Sequence, residues 1–270
     1  MVKQVDTGTV ELLCEIRDRV AVITLNKPHK KNALGDILTP ALRQTLLDLE
    51  PRADVGCVLI WGAGDAFCSG GDISGMGGGS GPKRNIHERS LELTRKQEAL
   101  TGRLYEFSKP TVAALSGAAA GAGLSIALAC DVRVASESAF ITTAFKNIGL
   151  SGDYGASWFL PRLIGQARAK HLFLTAERVK ARQCLEMGLF AEVYSDGEFR
   201  ERAFTYAKEI AMGPSMALAL MKKNLNAGIE QPLRDSLALE ASHLMMTGGS
   251  SENKEAVKAF MAKRSPDFHK

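Results

Sequence analysis

The chain of 270 residues carries 34 lysines and arginines against 30 aspartates and glutamates, for a formal net charge of +4. This length suits one large α/β domain, or a core domain with a small helical one. Because the basic residues are spread along the chain, they give no nucleic-acid footprint, although a few local cations could hold a phosphorylated ligand.

Other features of the composition exclude further classes of protein. No uninterrupted apolar run approaches the ~20 residues of a membrane span, and the N-terminal stretch lacks the apolar core of a secretory signal. The five cysteines are scattered without CxxC spacing, which is typical of buried residues in a reducing compartment. The histidines show no metal-ligand spacing. We therefore expect a cytoplasmic protein that has no metal site and no membrane partner.

The first part of the sequence predicts strands that alternate with helices. Leu12–Arg17 and residues 20–26 are rich in apolar and β-branched residues and are separated by an Asp-Arg turn, which favours a hairpin. Asp36 is the expected cap of a helix over residues 36–50. Residues 55–62 then form an apolar strand of the kind that is buried on both faces.

The remaining elements divide the chain into two parts. They begin with a polar helix over residues 85–107, strand Thr111–Leu115, a helix from Gly121 and strand Val132–Ser136. From residue 158 onward the sequence predicts helices only, over residues 158–164, 167–175, 181–187, 198–211, 215–227, 232–246 and 251–263. The pattern predicts an α/β core over residues 1–195 and a C-terminal helical region over residues 196–270 that serves oligomerisation or forms a lid. The glycine-rich residues 74–82 are either a linker or a substrate-responsive loop.

Two glycine-rich segments give the first indication of chemistry. Residues 66–73 (AFCSGGDI) follow a predicted strand, and residues 116–124 (SGAAAGAGL) stand between a strand and an apolar helix. Small residues allow a close approach of the backbone, and the amides at a helix start are unpaired donors at the positive end of the helix dipole. Each segment alone also fits a close-packed turn. Neither matches a GxGxxG or P-loop nucleotide motif.

Several stretches together resemble the crotonase (enoyl-CoA hydratase/isomerase) superfamily. Residues 26–34 (NKPHKKNAL) resemble its opening turn, residues 66–73 its AFxxGxD[IL] element, and residues 109–131 its KPxxAAxxG…GxGxxxALxCD element. The resemblance continues at residues 148–150, 160–165, 181–188 and 255–260. It covers nearly the whole chain in order, which makes chance agreement a poor explanation.

The resemblance implies a crotonase-like spiral of ββα units with a C-terminal helical trimerisation region, assembled as a homotrimer or a dimer of trimers. It implies an acyl-CoA substrate, with CoA as part of the substrate and no separate cofactor. It also implies an oxyanion hole made by the backbone amides of Gly71 and Ala122. Removing a proton beside a thioester places negative charge on the carbonyl oxygen, and one such donor stabilises that charge by ~3 kcal/mol.

For CoA, the family pattern places Lys30 near the phosphates, with Lys27 behind it, and Ala33 beside the adenine. Both lysines could alternatively be solvated surface charges. The further candidates for contacts to CoA or the acyl group are Ser69, Asp72, Ile73, Phe145, Phe260 and Lys263. Asp72 is interpreted mainly as a cap or turn anchor. Phe260 and Lys263 resemble residues that close over CoA, often from a neighbouring subunit.

The catalytic positions depart from the hydratase pattern. Hydratases of the family handle a water molecule with two glutamates, and the matching positions here hold Ser125 and Phe145. Asp153 instead stands in a glycine-rich loop, as in isomerases and dehalogenases of the superfamily. A single carboxylate can take a proton from one carbon and return it to another, and burial beside Phe145 and Trp158 would raise its pKa. Asp153 could alternatively be only a turn residue.

Three functions therefore stay open. An enoyl-CoA isomerase-type proton shuttle through Asp153 is favoured, a hydratase of unusual mechanism is second, and a non-catalytic CoA- or RNA-binding relative is third. Dehalogenation also needs a base histidine, for which only His87 is placed. Glu88, Glu92 and Glu98 lie on the polar helix and are expected to be solvated.

Overall fold

The computed structural model describes residues 2–72 and 85–269. Ile73, one of the predicted substrate-binding residues, and the whole glycine-rich stretch of residues 74–82 are thus outside the described residues. The strands in chain order are β1 Lys3–Val5, β2 Leu12–Arg17, β3 Val20–Leu25, β4 Cys57–Gly62, β5 Ala66–Cys68, β6 Thr111–Leu115, β7 Ala118–Ala120, β8 Val132–Ser136, β9 Phe140–Thr142, β10 Val179–Lys180 and β11 Glu192–Tyr194.

The helices in chain order are α1 Leu38–Leu49, α2 Ile86–Gln97, α3 Arg103–Glu106, α4 Ala122–Ala129, α5 Ala156–Ile164, α6 Gln166–Thr175, α7 Ala181–Glu186, α8 Phe199–Ala211, α9 Ser215–Gly228, α10 Leu233–Thr247 and α11 Ser251–Met261. Short 3-10 helices cover Pro28–Lys30 and Phe145–Ile148. A π-helical turn, Glu98–Gly102, joins α2 to α3. The predicted polar helix over residues 85–107 is therefore present, with this turn in its middle.

The larger sheet has seven strands in the order β1-β2-β3-β4-β6-β8-β11. The first three strands are antiparallel, and the following pairs are parallel. Strands β4 and β6 are buried along their whole length, as their unbroken apolar sequences indicate. The predicted hairpin is β2 and β3. Helix α8, which the prediction assigned to the C-terminal region, packs its buried Phe199 and alanines on one face of this sheet.

The smaller sheet has the order β10-β9-β7-β5, and its strands β5 and β7 lie within the two glycine-rich segments. Strands β5 and β7 are parallel neighbours, so their carboxyl ends meet at the same edge of the sheet. Residues 69–72 follow β5, and Gly121 and α4 follow β7. This pairing brings together the two segments that the sequence singled out.

The mixed α/β fold class with helices at the C-terminus is confirmed, whereas two finer predictions are wrong. Strands β10 and β11 lie in the part predicted to hold helices only. Both are short and pair with β9 and β8, far away in sequence, so local periodicity carries no signal for them. Asp36 does not cap α1, because the N-cap is Ile37 and it makes no side-chain cap bond. The division at residue 195 stays a prediction.

The last helices expose much of their apolar surface. Helix α9 has no buried residue, and the only buried side chain of α10 is His243. Large exposed apolar residues on these helices and on α11 include Met221, Leu225, Leu233, Leu244, Met245 and Phe260. In the part of the chain that the structure describes, no helix combines the length and apolarity needed to cross a bilayer.

All five cysteines are buried and unpaired, in agreement with the interpretation of the sequence. Burial raises the pKa of the Cys68 and Cys130 thiols to about 12, so these thiols are poor nucleophiles and poor metal ligands near neutral pH. Within residues 2–72 and 85–269, no group of three or more histidine, cysteine, aspartate or glutamate side chains is arranged to hold a metal ion.

Candidate active site

The two glycine-rich segments touch backbone to backbone. Gly70 has a φ of 103°, and a Cβ atom there would lie 3.0 Å from the Ala120 oxygen and 3.6 Å from the Ala122 nitrogen. A Cβ on Gly123 would lie 2.3 Å from the Cys68 oxygen. A side chain would not fit at such approaches, so Gly70 and Gly123 are explained by the contact between the two segments.

Two backbone N–H groups are left without acceptors where the segments meet. Leu34 N donates to Gly70 O at 2.7 Å, and Asp72 N donates to Leu34 O at 2.6 Å, which leaves the Gly71 N–H between them unused. Ala122 is the first residue of α4, so its N–H has no intrahelical acceptor. Neither amide finds an acceptor among the described residues. Gly71 and Ala122 line one cavity of about 470 Å³.

Asp153 lies in the wall of the same cavity. Its Oδ1 accepts from Gln97 Nε2 at 2.6 Å and from Tyr154 N at 2.9 Å, whereas Oδ2 accepts from no group among residues 2–72 and 85–269. Burial raises the pKa of Asp153, and the two hydrogen bonds oppose that rise without cancelling it. The site therefore holds a carboxylate whose pKa is raised by burial and whose Oδ2 has no hydrogen-bond donor in the described part of the chain.

The loop that carries Asp153 is held from two sides. Ser125 is fully buried, and its Oγ donates to the Asp153 carbonyl oxygen at 2.9 Å and to Gly121 O at 3.2 Å. Tyr154 is buried in a left-handed conformation with φ 51°, which is uncommon for a residue other than glycine. Its hydroxyl accepts from Arg43 Nη2 at 3.0 Å. Ser125, at a position where hydratases carry glutamate, thus serves here to hold the Asp153 loop.

Lys30, the lysine predicted to bind CoA, pairs with Asp72, which follows Gly71 in the chain. Lys30 Nζ is 2.9 Å from Asp72 Oδ2, and Lys27 Nζ is 3.5 Å from the same oxygen and 3.6 Å from Glu11 Oε1. Ser69 Oγ donates to Lys30 O at 3.2 Å. Asp72, the residue after Gly71, therefore pairs with both lysines, and its role as a cap or turn anchor stays a prediction.

Six predicted contact residues with described positions are not among the residues that line this cavity: Lys30, Ser69, Ala33, Phe145, Phe260 and Lys263. Ala33 is buried under the Lys30 turn. The Phe145 ring stacks on Phe173 with centroids 6.0 Å apart and packs behind Gly121, so it faces the core. Phe260 is 82% exposed on α11, and Lys263 follows that helix. The substrate contacts proposed for these residues stay predictions.

Sequence reasoning missed Gln97, Arg43 and Tyr154. Gln97 was overlooked because it does not titrate and lies in a segment that is polar throughout. His87 lies ten residues earlier on the same helix, about 15 Å along its axis, so it is not beside Asp153. The glutamates of α2 and the π turn are solvated as predicted: Glu88 and Glu98 are exposed, and Glu92 pairs with Lys96.

Comparison with known proteins identifies the family. The Enoyl-CoA hydratase/isomerase family model matches residues 15–270. The "Probable enoyl-CoA hydratase" of Rhodobacter capsulatus is 39% identical over 254 residues, covering 94% of this chain and 96% of that protein. The 1,2-epoxyphenylacetyl-CoA isomerase of Escherichia coli is 34% identical over 258 residues, covering 95% and 97%. A solved enoyl-CoA hydratase from a Polaromonas species superposes with a TM-score of 0.87 at 30% identity, covering 99% of both chains.

The chain therefore belongs to the enoyl-CoA hydratase/isomerase family of the crotonase superfamily, a family of acyl-CoA enzymes. The resemblance that the motifs indicated is confirmed, and so is the crotonase fold.

Proposed function

We propose that this protein is an enoyl-CoA isomerase in which Asp153 carries a proton from one carbon of the acyl group to another. The observation that carries the proposal is the half-buried Asp153 carboxylate, whose pKa is raised by burial, in the wall of the cavity that Gly71 and Ala122 also line. The Escherichia coli relative also carries an isomerase name, for an epoxyphenylacetyl-CoA rather than an enoyl-CoA. The proposed substrate is a 3-enoyl-CoA.

The proposed reaction moves one proton and consumes no water. The thioester oxygen accepts hydrogen bonds from the Gly71 and Ala122 N–H groups, and Asp153 Oδ2 removes a proton from C2. The C2–H electrons form a C1=C2 bond while the thioester C=O electrons move to the oxygen, where the two amides stabilise the charge of this dienolate. The protonated carboxyl then returns the proton to C4. As the C=O bond re-forms, the C1=C2 electrons become the C2=C3 bond and the former C3=C4 electrons bind the proton, which leaves the 2-enoyl thioester and an ionised Asp153.

The raised pKa of Asp153 suits this cycle, because a carboxyl group with a pKa nearer neutrality both accepts and returns a proton more readily. The base must be ionised to start, so activity is expected to fall as the pH drops through this raised pKa. The effect on folding has the opposite sign. The stability contributed by the protonated carboxyl is present below its unfolded pKa and is lost as the pH rises through its folded pKa.

A hydratase is the second candidate, because the Rhodobacter capsulatus relative carries a hydratase name. Water addition would need a second proton-handling group, and the two family positions for it hold Ser125 and Phe145. Of the other carboxylates that line the cavity, Glu11 and Asp72 lie within 3.6 Å of Lys27 Nζ. The remaining carboxylate of the lining, Asp36, is exposed, so a hydratase mechanism would have to recruit either a carboxylate that is already paired or an exposed one.

The test is incubation of the purified protein with matched 2-enoyl-CoA and 3-enoyl-CoA thioesters in D₂O, with products followed by mass spectrometry and NMR. An isomerase converts the 3-enoyl ester to the 2-enoyl ester and exchanges protons at C2 and C4. A 3-hydroxyacyl-CoA formed from the 2-enoyl ester at a comparable rate would favour the hydratase instead. Absence of any affinity for CoA thioesters by calorimetry would leave a non-catalytic binding protein.

A further inference from the structure

The two oxygens of the Asp153 carboxylate have different surroundings. Oδ1 accepts from Gln97 Nε2 and from the Tyr154 N–H, at 2.6 Å and 2.9 Å. Oδ2 has no donor within the described part of the chain. One oxygen is therefore held by two donors from different elements, and the other is left for the substrate.

Gln97 reaches Asp153 at a change of helix geometry. It is the last residue of α2 and is followed directly by the π turn Glu98–Gly102. Such turns interrupt the regular hydrogen-bond ladder and are frequent at functional sites. Side chains bond the carbonyl groups at this junction, since Arg43 Nε donates to Lys96 O at 3.0 Å and Thr101 Oγ1 donates to Gln97 O at 3.3 Å.

Arg43 links the helix that carries Gln97 to the loop that carries Asp153. Its guanidinium binds the end of α2 through Lys96 O and the Asp153 loop through the Tyr154 hydroxyl, the second at 3.0 Å. The same side chain on α1 thus holds both the helix that carries Gln97 and the loop that carries Asp153. The contact between Gln97 and Asp153 is therefore built into the packing of three elements.

We propose that Gln97 is a positioning residue, which holds Oδ1 of Asp153 so that Oδ2 alone removes and returns the substrate proton. This inference rests on the proposed function, in which Asp153 is the proton carrier. Oδ1 can accept the amide hydrogen bond when the carboxyl group is ionised and also when Oδ2 is protonated. The carboxyl therefore keeps one orientation through both halves of the reaction, which is the condition for productive transfer at two carbons.

A pH profile can isolate the role of Gln97, because the other charges around the site stay constant between variants. The remaining titratable or charged groups that line the cavity are Glu11, Lys27, Asp36, Arg43, Asp72, Lys96 and Tyr154. None of them is altered by a substitution at residue 97. A shift of the acid limb between variants therefore reports the interaction of residue 97 with Asp153.

The experiment measures kcat, KM and the pH dependence of kcat/KM on a 3-enoyl-CoA for the wild type, Gln97→Met and Gln97→Glu. Methionine keeps the length of the side chain but donates no hydrogen bond, so the ionised Asp153 loses a stabilising donor. We expect the acid limb to move to higher pH and kcat to fall about 10- to 100-fold, with a much smaller change in KM. Glutamate adds like-charge repulsion, so the acid limb should move further in the same direction.

Asp153→Asn, measured in the same assay, separates this inference from the proposed function. Turnover that persists in Asp153→Asn overturns the proposed function itself. An inactive Asp153→Asn together with an unshifted acid limb in both Gln97 variants overturns only the role of Gln97, whether kcat falls or not. The near-isosteric Gln97→Glu keeps the test valid if Gln97→Met folds poorly, and thermal melting identifies that case.

Discussion

Backbone amides rather than side chains stabilise the developing charge in this account, and Ala122 allows one of them to be removed alone. Residue 122 is the first residue of α4, where proline is well tolerated, and the preceding Gly121 has φ 50° and ψ −125°, outside the helical region that proline disfavours. Ala122→Pro should therefore fold. We expect it to lower kcat about 100- to 1000-fold, because one of two oxyanion donors is lost.

The matched control for this change is Ala122→Gly, which keeps the N–H and should stay much closer to the wild type in kcat. The affinity of each variant for a CoA thioester, measured by calorimetry, accounts for the carbon atoms that the proline ring adds to the cavity. Equal kcat values for the proline and glycine variants would remove Ala122 from the oxyanion hole.

Lys30 is the residue that tests CoA binding. Its side chain is 43% exposed and lies beside Asp72, the residue after Gly71, where a phosphate could reach it. Lys30→Glu should weaken the affinity for CoA about tenfold, as expected for the loss of one charge-assisted contact. Lys170→Glu, at an exposed position of α6, makes the same change in net charge and should leave the affinity unaltered. Equal dissociation constants for the two variants in calorimetry would show that Lys30 is only a surface charge paired with Asp72.

The residues of the site differ in how far the sequence could reveal them. Asp153 was accessible because the family positions for glutamate hold Ser125 and Phe145, which leaves one carboxylate in a glycine-rich loop. The contact of Gln97 with Asp153 joins residues that are 56 positions apart in the chain. The contact of Arg43 with Tyr154 joins residues that are 111 positions apart. Neither residue type signals catalysis by itself, so only the fold shows that Gln97 contacts Asp153 and that Arg43 contacts Tyr154 beside it.

At the scale of elements, the close approach of α4 to β5 sets the geometry of the proposed oxyanion hole. A Cβ on Gly123 would lie 2.3 Å from Cys68 O and 2.7 Å from Cys68 Sγ, so Gly123→Ala must push the helix away from the strand. We expect a loss of about 1–3 kcal/mol in the free energy of unfolding, as for other overpacked sites. We also expect a lower kcat, because the Ala122 amide moves with the helix.

Gly197→Ala is the control for this substitution, since a Cβ there meets nothing within 4 Å. Urea unfolding at one fixed protein concentration compares the two variants. If both are as stable as the wild type, the contact between the two glycine-rich segments does not constrain the fold.

Elements with strong local patterns could be predicted from the sequence, and elements defined by distant pairing could not. The apolar runs of β4 and β6 and the stripes of α1 and α8 carry their own signal. Strands β5, β7, β9 and β10 have two or three residues each, and they exist because they pair with one another in the smaller sheet. Only this pairing places the carboxyl ends of β5 and β7 side by side.

At the scale of the whole molecule, the exposed apolar faces of the C-terminal helices predict association. Leu225 on α9 is 73% exposed, and Leu244 and Met245 on α10 are 63% and 72% exposed, which is costly for a surface left in water. We expect light scattering to give three or six times the chain mass of 29.0 kDa. Leu225→Glu with Leu244→Glu should lower that mass. A monomeric wild type at micromolar concentration would contradict the trimeric assembly.

Comparison of Asp153→Asn with Ser125→Ala on a 3-enoyl-CoA tests whether Asp153 carries the proton. Asparagine keeps the size of the side chain and can still accept from Gln97 and from the Tyr154 N–H, but it cannot take a proton from carbon. Ser125→Ala removes only the hydroxyl that bonds the Asp153 carbonyl oxygen. Asp153→Asn is expected to abolish turnover with a nearly unchanged dissociation constant for the ligand, while Ser125→Ala should lose far less of kcat. A kcat near the wild-type value in Asp153→Asn would contradict this expectation.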